Sequence, residues 1–295
     1  MNCVIIEKIE KKQKGGTDPL ALGHKKSIKT FQNPAIQSGT ILHGGVTIPY
    51  WFSDSRGPEG KWLVLLHGLG VDCSVWEPFL DDLIAGYNVI LLDLPGHGDN
   101  RSSYSLEDAS RQILTAMAQR NAGYAIIVGH CIGGCVAQAF ASAHSEYCGD
   151  LILIDTFPLG GEQYHYASFK WLSAVSPLMT VVPSPVFSGV LTGIFSSKSD
   201  GRHALYPQIR QQKVTPVFRV FRKTMQAMSK LSTPAYYSPV HYLVGSRDHL
   251  VPIRRWNRQA AELHKGTYDE IPKCGHFSVT DDPGRVLAAI RPYLP

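Results

Sequence analysis

The chain lacks any apolar run approaching the ~20 residues that a membrane-spanning helix needs, so no such span is expected. Its first residues, Met1-Asn2-Cys3-Val4-Ile5-Ile6-Glu7, meet a charge too early to form the apolar heart of a secretory signal. Cysteine is sparse: there are six, and Cys3, Cys73, Cys148 and Cys274 lack the spacing of metal ligands. Without a signal, they read as reduced thiols rather than a disulfide framework, and a cytoplasmic protein is expected. Internal repeats are missing. So are nucleic-acid-binding motifs and basic stripes interleaved with aromatics, so no nucleic-acid partner is expected. Neither a cofactor nor a metal is expected.

What is present suits a packed enzyme-sized fold. Hydrophobic residues make up 44% of the 295 and charged residues 18%, which excludes a disordered chain, a coiled coil and a collagen-like repeat. The net charge of +5 is unevenly spread. Residues 1–34 carry seven lysines against three acids, and residues 158–239 carry nine Lys or Arg against Glu162 and Asp200. The remainder is net acidic. A basic surface of this kind suits an anionic carrier or phosphorylated ligand, or simply a solvated face.

Residues 1–34 read as a basic, poorly ordered N-terminal extension. Thr40–Phe52 reads as two strands around a His43-Gly44-Gly45 turn. Short apolar runs then alternate with helical patterns. The runs are Trp62–Leu66, Tyr87–Leu92, Tyr124–Val128, Leu151–Ile154, Val240–Val244 and Thr267–Ile271. Helices fit at Val75–Ile84, Leu106–Gln119, Gly133–His144, Ile253–His264 and Pro283–Ile290. Such alternation predicts an α/β fold with a mostly parallel central sheet flanked by helices. The rhythm breaks over residues 158–239, which predicts a lid inserted into a core of residues 35–157 and 240–295. Within it, Thr215 is expected to cap a helix with Pro216 in its first turn. Val217, Phe218, Phe221, Met225 and Met228 would share one apolar face, with Arg219, Arg222 and Lys223 elsewhere.

The strongest local signal is Ile126-Ile127-Val128-Gly129-His130-Cys131-Ile132-Gly133-Gly134. A buried strand runs straight into Gly-His-Cys-Ile-Gly and on into a helix rich in small residues. This is the strand–nucleophile–helix turn of Gly-x-Ser-x-Gly with cysteine in the serine position. A helix N-terminus also favours a thiolate there.

From these residues outward, the chain resembles the α/β-hydrolase superfamily over roughly residues 38–295. Leu65-Leu66-His67-Gly68-Leu69-Gly70, with Trp76 beyond, resembles the loop that supplies one oxyanion-hole N–H, here Leu69; the other would come from Ile132. Asp93-Leu94-Pro95-Gly96-His97-Gly98 resembles a structural turn of the family. Gly245-Ser246-Arg247-Asp248 resembles the loop of the catalytic acid, and Cys274-Gly275-His276-Phe277 that of the catalytic histidine. The order nucleophile, acid, histidine is also that of the superfamily. The resemblance implies Cys131 as nucleophile, His276 as base and Asp248 as orienting acid, with Asp155 as the alternative acid. His67, His130 and Phe277 are expected to line the pocket, and Cys135 to be a core residue.

Sulfur in the elbow carries its own chemical implication. Thiolate adding to a simple ester is readily expelled again, because it leaves more easily than alkoxide. With a thioester both departing groups are thiolates and the exchange is nearly balanced. The expected substrate is therefore a small-molecule acyl group, carried on an acyl carrier protein or coenzyme A. Hydrolysis, cyclisation or transfer would release it. An ordinary ester or lactone hydrolase, and a lyase or cyclase without an acyl-enzyme, stay open as alternatives.

Overall fold

The computed structural model describes residues 29–160, 183–228 and 234–294. Eight strands form one sheet: β1 (Gln37–His43), β2 (Val46–Ser53), β3 (Trp62–Leu66), β4 (Asn88–Leu92), β5 (Ala125–His130), β6 (Cys148–Ile154), β7 (Val240–Gly245) and β8 (Thr267–Ile271). Their order is β1-β2-β4-β3-β5-β6-β7-β8. β2 runs antiparallel to both β1 and β4, and every other pairing is parallel. All residues of β3, β4, β5 and β7 are buried, as uninterrupted apolar strands covered on both faces should be. At the edge, β8 instead alternates between exposed and half-buried positions before Ile271.

Helices cover the two faces over separate apolar clusters. They are α1 (Leu80–Ile84), α2 (Leu106–Gln119), α3 (Ile132–Ala143), α4 (Ser184–Phe195), α5 (Ser199–Gln211), α6 (Val214–Met228), α7 (Ile253–His264), α8 (Ser278–Asp281) and α9 (Pro283–Ile290). α4, α5 and α6 all lie between β6 and β7, within the stretch read as an insertion, part of which falls outside the described residues. Among the described residues, no helix is long and apolar enough to cross a membrane.

Three local expectations need correction. Residues 73–84 are not one helix: a 3-10 stretch, Cys73–Phe79, holds Pro78 and hands over to α1. Proline has no N–H to give an α-helical ladder there. α6 starts at Val214, and the Lys213 carbonyl accepts the Val217 N–H at 3.3 Å. Thr215 therefore sits inside the first turn instead of capping it, while Pro216 still falls where no ladder donor is needed. Finally, residues 29–34 pack on the core. Phe31 meets the Trp51 ring at 5.9 Å, and the Gln32 N–H donates to Glu77 at 2.7 Å. The rest of the extension, 1–28, lies outside the described residues.

The sheet's order reverses at β3, whose neighbours β4 and β5 follow it on opposite sides. The loops leaving the carboxyl ends of β3 and β5 consequently diverge, and a crevice forms between them. Leu69 stands in the first loop and Cys131 directly follows the second strand.

Candidate active site

Cys131 joins β5 to α3 in a left-handed conformation, φ 53° and ψ −117°. For a non-glycine residue this stores on the order of 1–3 kcal/mol of strain. Its N–H donates to the Ile154 carbonyl at 2.9 Å, and its own carbonyl accepts from the Thr156 hydroxyl, so β6 holds the bend. The flanking glycines are required by close approach. A Cβ on Gly129 would stand 2.6 Å from the Gly133 carbonyl oxygen, and one on Gly133 would stand 2.5 Å from those of Leu66 and His67. Backbone without a side chain lets α3 sit directly against β5 and β3.

Cys131, His276 and Asp248 meet at this point. Nε2 of His276 lies 3.2 Å from Cys131 Sγ, and Nδ1 lies 2.7 Å from Asp248 Oδ2. The other Asp248 oxygen accepts the Leu250 N–H at 3.0 Å. All three side chains are buried. Burial disfavours charge on His276, yet Asp248 and Cys131 outweigh it and hold the imidazole well above its ordinary pKa. Burial likewise opposes the Asp248 charge, and the His276 contact together with the Leu250 N–H keeps its carboxyl below the usual value.

Asp155, the alternative acid, spends its oxygens elsewhere. Oδ1 accepts the Gly245 N–H at 2.7 Å, while Oδ2 accepts the Ser278 N–H at 3.1 Å and the Ser278 hydroxyl. Burial and the neighbouring Asp248 push its carboxyl up to about 7. The carboxylate on His276 Nδ1 is thus Asp248, and Asp155 ties the end of β7 to the segment after His276.

A cavity of about 340 Å³ opens beside Cys131. Ile132 and Leu69 line it, together with Phe157, α4 residues such as Phe187 and Ile194, and α6 residues such as Phe221 and Met225. Ile132 opens α3, so its N–H is one of the helix's unpaired first-turn donors. His67, His130 and Phe277 are not in the lining and lie fully buried behind it. His67 Nε2 accepts the Leu94 N–H at 2.8 Å, and His130 Nε2 donates to the His276 carbonyl at 3.0 Å. Burial, and for His130 the charge of His276, lowers the pKa of both rings, that of His130 to about 3. They brace loops as neutral groups. Phe277 stacks on Phe195 at 5.3 Å. Cys135 is wholly buried, its thiol 3.8 Å from the Phe157 carbonyl.

Two features here escaped the sequence reading. The α4 wall could have been found, because residues 184–197 contain no charged side chain. The second, Asp281, gave no comparable signal. Its Oδ2 accepts the N–H groups of Gly275 at 2.7 Å and Ser197 at 3.0 Å, and Oδ1 accepts from the Ser196 hydroxyl. The Phe195 carbonyl accepts the Phe277 N–H at 3.0 Å alongside. The C-terminal end of α4 is thereby fastened to the loop that carries His276.

An eight-stranded sheet with this order, and a strained turn at its crevice, define an α/β-hydrolase fold. A family model described as the alpha/beta hydrolase family matches residues 63–290, and the chain belongs to that family. A pimeloyl-[acyl-carrier protein] methyl ester esterase of Vibrio atlanticus is 36% identical over 111 residues, 37% of this chain and 40% of that protein. The match thus spans less than half the length of that relative. An uncharacterized protein of Mycobacterium tuberculosis is 23% identical over 291 residues, covering 91% of this chain and 84% of that one. Among solved structures, a thermophilic esterase from Thermogutta terrifontis superposes with a TM-score of 0.71 at 22% identity, over 88% of this chain and 98% of that one.

Proposed function

We propose that the protein is an acyl hydrolase or acyltransferase whose nucleophile is Cys131, acting on acyl thioesters. The carrying observation is the unbroken relay from Asp248 through His276 to a sulfur that faces an apolar cavity. His276 takes the thiol proton, and its raised pKa favours the resulting thiolate–imidazolium pair. The thiolate adds to the acyl carbonyl. The Leu69 and Ile132 N–H groups hold the oxyanion, each worth roughly 2.7–4 kcal/mol. The carrier thiolate departs with the proton from His276, leaving a thioester on Cys131. Water, or another acceptor deprotonated by His276, then attacks that carbonyl; the bond to Cys131 Sγ breaks, the acyl product leaves and His276 returns the proton to sulfur. Asp248 keeps the ring oriented and offsets its charge. α4 to α6 act as a lid over the acyl chain, whose apolar lining favours an uncharged acyl group. The five cysteines among the described residues, all free and buried, suit a reducing cytoplasm.

The test is intact-protein mass measurement after rapid mixing with short acyl thioesters. One acyl adduct on the wild type, absent from Cys131→Ala, is expected; no adduct, or an equal adduct on the variant, defeats the reading. A second reading, ester hydrolysis, draws on the carrier-protein methyl ester named for the Vibrio relative. Fast turnover of esters with none of thioesters would favour it.

The carrier itself is proposed to dock on α6. Arg219 and Arg222 are exposed there. Lys223 is not available, because its Nζ donates to the Tyr104 carbonyl at 2.9 Å. Reversing Arg219 and Arg222 to Glu is expected to raise KM about tenfold for a thioester on acyl carrier protein, the loss of one or two surface pairs at low salt. KM for a small thioester mimic should not change. Equal effects on both substrates would remove the docking site.

A further inference from the structure

Lys29 enters the fold beneath Trp51. Its Nζ lies 5.1 Å from the indole centroid, and its carbonyl accepts the indole N–H at 2.9 Å. The ammonium lies 2.8 Å from Asp72 Oδ1, 3.1 and 3.2 Å from the two Asp93 oxygens, and 3.7 Å from Cys73 Sγ. Asp93 is fully buried and accepts the N–H groups of Cys73 at 2.9 Å and Asp99 at 2.8 Å. Asp72, nearly as buried, accepts the Ser74 N–H at 2.9 Å. One cation therefore bridges two buried carboxylates from different loops, Asp72 after β3 and Asp93 after β4. Removing one partner of such a set leaves like charges facing each other away from water.

The first of those loops carries Leu69, one of the two candidate oxyanion donors. Leu69 lies three residues before Asp72. Besides the Cys73 N–H on Asp93, two further ties across the loops run through neutral histidines: the Leu94 N–H donates to His67, and the Gly70 N–H donates to His97 Nε2 at 3.1 Å. Burial, and for His97 the neighbouring His67, pushes the His97 pKa down to about 3, so neither ring supplies charge. The cation among these ties is Lys29. Burial opposes its own charge, but Cys73, Asp93 and Asp72 hold it above the ordinary lysine value.

We infer that Lys29 is a positioning residue, clamping the two loops so that the Leu69 N–H stays aimed at the carbonyl oxygen of the substrate. This rests on the proposed role of Leu69. The basic N-terminal segment thereby becomes part of the active-site architecture, although it touches no substrate.

The experiment uses the full chain with Lys29→Met and Lys29→Arg, turning over a short acyl thioester. A displaced oxyanion donor should lower kcat of Lys29→Met at least about tenfold, toward the 10²–10³ seen on losing such a donor. KM should stay close to wild type, because binding in the cavity is untouched, and Lys29→Arg should recover most of the rate. The groups facing Nζ are Asp72, Asp93, Cys73 and the Trp51 ring, with His67 and His97 beyond. If Lys29→Met does not fold, Lys29→Met/Asp72→Asn, which removes the repulsion, should fold and retain the low kcat. Unchanged kcat with lowered stability, or Lys29→Arg no better than Lys29→Met, overturns the inference. If the wild type forms no acyl-enzyme, it is the proposed function that fails. Amide exchange over Gly68–Asp72 then decides the clamp: faster in Lys29→Met upholds it, unchanged overturns it.

Discussion

Cys131→Ala is expected to lower kcat on an acyl thioester by on the order of 10⁵, because removing a covalent nucleophile disables its base and acid together. Cys131→Ser should recover little of this. Asp248 and Cys131 hold the His276 ring well above its ordinary pKa, which in the proposed mechanism favours a proton on the imidazole before attack. Serine cannot share the proton in this way and must be deprotonated during attack, so it depends wholly on the base. Its oxygen would also be held at the end of a bond shorter than C–S, away from Nε2, which is now 3.2 Å from sulfur. Steady-state kinetics with circular dichroism to verify folding decides the matter. Wild-type rates in Cys131→Ser would show that the element is incidental.

Asp248→Asn is expected to cost on the order of 10⁴ in kcat, the size of effect that a wrong imidazole tautomer produces in a hydrolytic triad. The amide can present its N–H to His276 Nδ1, which forces the proton onto Nε2, the nitrogen that must accept from sulfur. The pH profile should move as well. With Asp248 charged, the imidazolium survives above its normal range, and activity falls on the alkaline side only as that proton is lost. A neutral amide in place of the carboxylate removes the attraction, so the alkaline limb should shift to lower pH. Stability follows the same signs. The raised His276 pKa stabilises the fold fully below about 6.5, and that contribution disappears as pH rises through its folded value. The lowered Asp248 pKa contributes above about 3.9, and that part disappears as pH falls through its folded value. A pH–rate profile of Asp248→Asn that overlays wild type at reduced height would contradict the electrostatic part.

Much of this architecture is legible in the residues themselves, for identifiable reasons. Trp62–Leu66 and Thr267–Ile271 match β3 and β8 end to end, and α2, α7 and α9 match their expected spans, because Gly, Pro, Ser and Asp punctuate the chain at each boundary. The meeting of Cys131, His276 and Asp248 was foreseeable because each follows a strand, and strand ends of a parallel sheet share one rim. What stayed hidden depends on contacts distant in sequence. Nothing local marks His67 and His130 as backbone braces: a histidine beside a catalytic loop reads the same whether it faces ligand or strand. Lys29 looked like one more charge in a basic tail, since its partners are 43 and 64 positions away.

The fastening at Asp281 has a dynamic consequence. Gly275, Ser197 and Ser196 all depend on that one carboxylate, and Phe277 hangs from Phe195 next to it. Were the roof to lift from this side, it would unseat the imidazole in the same movement. In the proposed mechanism, movement of α4 and seating of the base would therefore be linked through this single carboxylate. Between α4 and α6 the contact is of another kind: the rings of Phe187 and Phe218 meet at 5.2 Å, so that seam is held by apolar packing where the Asp281 corner is held by hydrogen bonds.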